Sequence, residues 1–132
     1  MTVPQCLVIS CEHGGREVPP AYAALFQGHE ALLDTHRGWD PGALELARQM
    51  ADAFAAPLHA STTTRLLVDL NRSVGHRQLY SEFTRGLDRT RREAILRDHY
   101  RPHREAVEAR IGQLITSGCQ VIHVASHSFT PC

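Results

Sequence analysis

Three short apolar runs in this chain each end in residues able to do chemistry. Leu7-Val8-Ile9 leads into Ser10-Cys11-Glu12-His13-Gly14-Gly15, and Leu66-Leu67-Val68 leads into Asp69-Leu70-Asn71-Arg72. Val121-Ile122-His123-Val124-Ala125 leads into Ser126-His127-Ser128. If the runs are parallel strands of one sheet, their carboxyl ends meet in one crevice, where open α/β sheets bind ligands. Two histidines on strand ends, His13 and His127, then form the beginning of a metal site. The segment Asp34-Thr35-His36-Arg37-Gly38-Trp39-Asp40 offers a third donor, and Asp34 or His36 completes a three-ligand zinc site. Three protein ligands and one open position is the arrangement of catalytic zinc. Asp40 precedes Pro41 and is read instead as a helix N-cap.

Other side chains near these runs suit a charged ligand. Arg65 and Asn71-Arg72 bracket the second run, where a guanidinium fork and an adjacent amide can bind and orient a carboxylate. Asp69, inside that run, must be paired if buried, and a structural ion pair with an arginine is its alternative role. Gly14-Gly15 permit close approach of backbone to a ligand. Ser126 and Ser128 can orient the His127 imidazole, which on the period-2 rule shares a face with His123 and Ala125. His103 falls on an apolar helical stripe, either as a core residue or facing the site. A Ser-His-Asp nucleophile has no G-x-S-x-G elbow to support it.

The elements that must position these groups follow from periodicity and breakers. Residues 6–10 read as a buried strand, and Pro19-Pro20 interrupts the chain before a short helix over 21–26. Asp40-Pro41 starts a helix carrying Leu44, Ala47, Ala51 and Phe54 at helical spacing, which Pro57 ends. Residues 60–64 read as a short strand and 66–70 as a stronger one. Residues 73–90 read as loop. From Arg92 to Thr116, Leu96, Tyr100, His103, Val107, Ile111 and Leu114 form one stripe, with Pro102 bending or splitting the helix and Gly118 at its C-cap. Residues 119–125 form the last strand. Alternating strands and helices give an α/β layer fold with a mixed, largely parallel sheet flanked by helices.

The chain has 132 residues, 14 basic and 14 acidic, which suits one domain with no global field for nucleic acid or membrane. Arg89 to Arg92 form a small local basic patch, read as a solvated helix start. Nine histidines raise the prospect of metal or acid–base chemistry, with His29, His59 and His76 read as surface or capping residues. Four cysteines, Cys6, Cys11, Cys119 and Cys132, show no CxxC spacing and are read as free thiols in a cytoplasmic protein. No signal peptide or membrane span is evident. A sheet of three or four strands leaves the last strand near an edge, so either a partner covers that edge, as in a homo-oligomer, or the chain is part of something longer.

Five of these motifs occur in an order that resembles the N-formylglutamate amidohydrolase family: Ser10–Gly15, Asp34–Asp40, Arg65–Ser73, Tyr100-Arg101-Pro102-His103-Arg104 and Ser126-His127-Ser128-Phe129. The resemblance implies a hydrolase-like α/β domain related to zinc carboxypeptidases and aspartoacylase, with residues 1–132 forming the N-terminal part of a longer family domain. It implies one zinc ion and hydrolysis of an N-formyl or other N-acyl amide on glutamate or a similar acidic amino acid. By motif position it makes His13 and His127 zinc ligands, with a carboxylate in the Asp34 region as the third. It places Asn71 and Arg72 on a substrate carboxylate, with Arg65 and Arg37 assisting. The general-base glutamate of related zinc peptidases comes from a later part of those chains, so Glu12, with His103, is the nearby substitute. The contrasting reading is a catalytically silent domain that binds zinc or an acidic amino acid, or associates with a partner.

Overall fold

The computed structural model describes residues 2–129. Three strands, β1 (Gln5–Cys11), β2 (Leu58–Ala60) and β3 (Gln120–Ala125), form a sheet in the order β2-β1-β3, with both pairings parallel. The parallel α/β sheet expected from the sequence is therefore present. Val8 and Ile9 of the central strand are fully buried, as a strand flanked on both edges and both faces requires. β1 and β3 pair from Gln5–Gln120 to Ser10–Ala125, so the two strands end level with one another. His13 and His127 follow those ends.

Helix α1 (Glu30–Leu33) and helix α2 (Ala43–Phe54) lie between β1 and β2. Ala43 and Ala47 of α2 pack on Ile9 and Cys11, which alternate onto one face of the sheet. Of the predicted stripe, Ala47 is buried and Leu44 and Ala51 pack against the same cluster, whereas Phe54 is exposed. Gly42, at a φ of 83°, occupies the N-cap position of α2, so Asp40 does not cap it. On the other sheet face lies α4 (Arg101–Thr116), which a π-helical turn, Leu96–Tyr100, joins to α3 (Arg89–Ile95). Pro102 has no N–H to give the preceding turn, and the wider π turn absorbs that break, as the sequence predicted. Asp88 caps α3 by accepting from the Arg91 backbone N–H. Gly118, at a φ of 96°, turns the chain from α4 into β3.

Two expectations are corrected. Leu66–Leu70 is not a strand but a buried loop. Leu66, Leu67, Val68 and Leu70 pack among Tyr22, Phe26, Leu79, Ile95 and Tyr100, and burial alone accounts for their apolar character. Hydroxyls replace a strand ladder in satisfying the backbone: Thr84 donates to the Leu67 carbonyl at 2.9 Å, and Ser81 donates to that of Leu66. The cysteines are not all free. Cys6 and Cys119, with Cα atoms 5.9 Å apart, form a disulfide, and Cys11 is a buried thiol. The inference of compartment from free thiols therefore loses its premise, and Cys132 lies outside the described residues. No helix among the described residues is long and apolar enough to cross a membrane.

Gly38 sits where the loop before Asp40 presses on the end of α1. A Cβ there would fall on the Leu33 carbonyl. Gly38→Ala should lower stability by about 2–3 kcal/mol, the usual cost of overpacking against unyielding backbone. Denaturant unfolding measures this, and an unchanged midpoint would contradict it.

Candidate metal centre

His13, Asp40 and His127 each place one ligand atom within 4.8 Å of the other two. They come from three parts of the chain, and backbone hydrogen bonds fix each of them. The Asp40 N–H donates to the His13 carbonyl at 2.8 Å, pinning the loop after α1 to the exit of β1. The Ser126 N–H donates to the Ser10 carbonyl at 2.8 Å, which continues the β1–β3 pairing one residue further and delivers His127. The Ser126 hydroxyl donates to the Ala43 carbonyl at 2.8 Å and does not orient the imidazole. The Ser128 N–H instead donates to Asp40 Oδ2 at 3.3 Å. Gly14 and Gly15 serve packing: the Gly14 N–H bonds the Ser61 carbonyl at 2.9 Å, and a Cβ on Gly15 would lie 2.6 Å from the Thr62 carbonyl oxygen.

Both imidazoles are arranged alike. His13 turns Nδ1 to Asp40 Oδ2 at 3.4 Å and Nε2 to Asp69 Oδ1 at 2.6 Å. His127 turns Nδ1 to the same Asp40 oxygen at 3.0 Å and Nε2 to Glu12 Oε1 at 3.6 Å. His13 is thus backed by a carboxylate bonded to its far nitrogen, the arrangement that orients metal-binding histidines and raises their basicity, whereas Glu12 stands beyond hydrogen-bond distance of the far nitrogen of His127. With Nε2 donating to Asp69, the neutral His13 ring keeps its lone pair on Nδ1. That atom is buried and has no hydrogen-bond partner. A cation at this point would satisfy it. Tetrahedral zinc with bonds of ~2.1 Å separates its ligand atoms by about 3.4 Å, close to the two Nδ1–Asp40 spacings. The donor set of two imidazoles and one carboxylate suits that ion.

The charge on these groups follows from the geometry. Burial opposes ionisation of Asp40, but His127 and His13 on either side hold its carboxyl well below the usual carboxylate range. Asp69 is also disfavoured by burial, yet His13, the Asn71 N–H and Arg65 bring it down to about 2. Burial pulls His13 down, and the carboxylates of Asp40 and Asp69 more than reverse this, so its pKa is raised. A proton on His13 therefore competes with a metal ion. Glu12 is buried, which opposes its charge, but hydrogen bonds from His103 and Ser10 keep it ionised.

Several predicted residues lie around this centre, in two separate cavities. Arg65 bonds Asp69 at 3.0 Å and lies 3.7 Å from Asp40. Arg37, Arg65, Arg72 and Asp69 line a cavity of about 460 Å³. Asn71 does not join them: it lines a second cavity of about 300 Å³ with Glu12 and His103. His103 Nε2 bonds Glu12 Oε2 at 2.7 Å, so His103 faces the centre's second sphere of side chains and is not an apolar core residue. His13, Asp40 and His127 line neither cavity; Asp69, bonded to His13, lies on the wall of the larger one, and Glu12, near His127, on the wall of the smaller one. Tyr100 and Arg104 donate to the backbone carbonyls of Arg72 and Leu70 at 2.7 and 3.2 Å, which clamps the 69–72 loop.

Asp34 is a correction. Its carboxylate pairs with Arg16 on the surface, with both side chains more than half exposed, and the carboxylate of the cluster is Asp40. His36 lines the larger cavity and is not in the cluster. Asp40 reads as a helix cap because Asp-Pro is a strong helix-start signal; its place in the same short motif as Asp34 is the signal that points to it as a donor. Asp69 was recognised as needing a partner, but His13 as that partner was not legible. His59 is half-buried, with its Nε2 buried and unpartnered.

Comparison with known proteins follows the same lines. The N-formylglutamate amidohydrolase (FGase) family matches residues 5–132. The crystal structure of gene product Atu2144 from Agrobacterium tumefaciens is similar at a TM-score of 0.87 and 30% identity, over 98% of this chain and 54% of that chain. This chain therefore spans about half the length of that protein. No curated protein matches the sequence.

Asp69→Asn tests the backing of His13. Zinc affinity should fall about 10–100-fold. In the metal-free protein, a depressed carboxylate adds stability that is present above its unfolded pKa of 3.8 and is lost as pH falls toward about 2. The Asn variant should lack that part of the acid limb, on the order of 2 kcal/mol. Equal acid limbs in the two proteins would contradict the pairing.

Proposed function

The chain belongs to the N-formylglutamate amidohydrolase family, a family of hydrolases, and we propose that it takes part in zinc-dependent hydrolysis of an N-formyl or other N-acyl amide of an acidic amino acid. The observation that carries the reading is the His13–Asp40–His127 cluster, with the unpartnered buried Nδ1 of His13, linked through Asp69 and Arg65 to an arginine-lined cavity. Zinc held there would supply Lewis-acid chemistry and bring the pKa of water down to about 7.

The remaining roles belong to the chain's own side chains. Arg65 and Arg72 bracket Asp69 on the cavity wall, where their guanidinium groups offer donors to a substrate carboxylate. Arg65 also stands within 3.7 Å of Asp40, close enough to favour negative charge developing next to the cluster. Glu12 and His103 form a carboxylate–imidazole pair on the opposite wall, and we assign them the carrying of protons to and from the reacting amide. Arg37, held by Glu82, shapes the cavity rim. Asn71, in the smaller cavity, would meet the acyl side of the substrate.

Formate release from N-formylglutamate by zinc-loaded protein tests this. The rate should fall at least about 1,000-fold in His127→Ala, because the nucleophile is no longer activated. Equal, non-zero rates would remove His127 from the mechanism. Stoichiometric zinc binding without turnover of any N-acyl amino acid would favour the binding-only reading.

A further inference from the structure

The C-terminal unit of the fold, α4 and β3, buries little apolar surface. Val107 is its one buried residue, and Ile115 and Ile122 are exposed. β3 is an edge strand, with β1 as its single neighbour in the sheet. A segment packed so lightly opens at low cost. Yet this unit and the residues after it supply much of the site. His127 joins the metal cluster, His103 bonds Glu12 at 2.7 Å, and Arg104 bonds the Leu70 carbonyl at 3.2 Å. Two ties hold β3 to β1 besides their backbone ladder. One is the His123 Nε2–Ser10 Oγ hydrogen bond at 2.7 Å. The other is covalent: the disulfide runs from Cys6, near the start of β1, to Cys119, in the turn between α4 and β3. It joins residues 113 apart in the chain and sits where β3 enters the sheet. Both cysteines are partly exposed, so a thiol can reach the bond.

We infer that the Cys6–Cys119 disulfide is a redox latch on the α4–β3 unit. Oxidised, it holds β3 against β1 and keeps His127 in the cluster. Reduced, it lets the unit open and withdraws His127. The effect on His127 rests on the metal site proposed above, whereas the effect on β3 does not. The reductant is a dithiol. Its thiolate attacks one sulfur of the pair, forms a mixed disulfide and expels the other cysteine as a thiolate. Its second thiol then displaces the first cysteine. Two electrons pass to the protein disulfide, the dithiol ends as a cyclic disulfide, and its two protons end on Cys6 and Cys119. A site complete in only a fraction of the molecules binds its ligand more weakly by that fraction.

Amide hydrogen exchange reads the latch without metal or turnover. The oxidised full chain is compared with the same chain reduced by dithiothreitol and with Cys6→Ser/Cys119→Ser. Exchange in β3 should rise about 30-fold or more in both, while α2 and the β1–β2 pairing keep their protection. Unchanged exchange in β3 overturns the inference. Equal acceleration in β3, α2 and the β1–β2 pairing also overturns it, because the bond is then a staple of the whole fold. Zinc titration compares the oxidised chain with the serine variant, in which this pair offers the ion no thiol. The variant should bind zinc about 10-fold more weakly. Equal affinities despite a loosened β3 would break the link to His127 and overturn the inference. Local loosening of β3 in a chain that binds no zinc in either form upholds the latch and removes the metal reading.

Discussion

A carboxylate buried between two imidazoles is the constraint around which this fold is arranged. Asp40 is 1% exposed, and its Oδ2 lies within 3.4 Å of Nδ1 of both His13 and His127. An isolated buried carboxylate would be costly, and Asp40 is ionised only because these partners and the Ser128 N–H surround it. Asp69 in turn anchors His13 at its far nitrogen, and Glu12 faces that of His127 at 3.6 Å. The result is a chain of alternating acids and imidazoles from one cavity wall to the other.

The rest of the architecture delivers these groups to one point. Parallel β1 and β3 end in register, so the residues after them emerge side by side. The loop before α2 is drawn in by the Asp40 N–H on the His13 carbonyl, and the Thr64 hydroxyl holds the Gly38 carbonyl at 2.9 Å. The Asp69–Arg72 loop lacks strand neighbours and depends on Tyr100 and Arg104 from the π turn and α4. This accounts for the Tyr100–Arg104 motif: two of its residues hold the loop that backs His13, and a third, His103, holds the glutamate that backs His127. Helix α2 and the 66–70 loop fill separate apolar clusters, the first against the sheet and the second away from the strands, leaving the sheet's carboxyl edge to the polar groups.

Much of this was legible in the sequence. Apolar runs ending in histidine located β1 and β3, and periodicity located the long helix and its break at Pro102. The assignment of His13 and His127 to one site followed from the strand ends alone. What escaped was decided by tertiary contacts. Leu66–Leu70 has the composition of a strand, but its hydrogen bonds go to Ser81 and Thr84, far enough along the chain that no local pattern announces them. Asp40 and Asp34 are equally plausible donors on paper. Gly42 took over the cap position, which freed Asp40 to turn inward, whereas Arg16 drew Asp34 to the surface.

The central claim is that Asp40, together with His13 and His127, holds the metal ion. Zinc titration of the purified chain against a chromophoric chelator tests it most directly, with Asp40→Asn and Asp34→Asn measured beside the unaltered protein and their folds checked by circular dichroism. The unaltered protein and Asp34→Asn should each bind one zinc ion with similar affinity, and folded Asp40→Asn should lose that binding. Unchanged affinity in Asp40→Asn, or its loss in Asp34→Asn, would contradict the account.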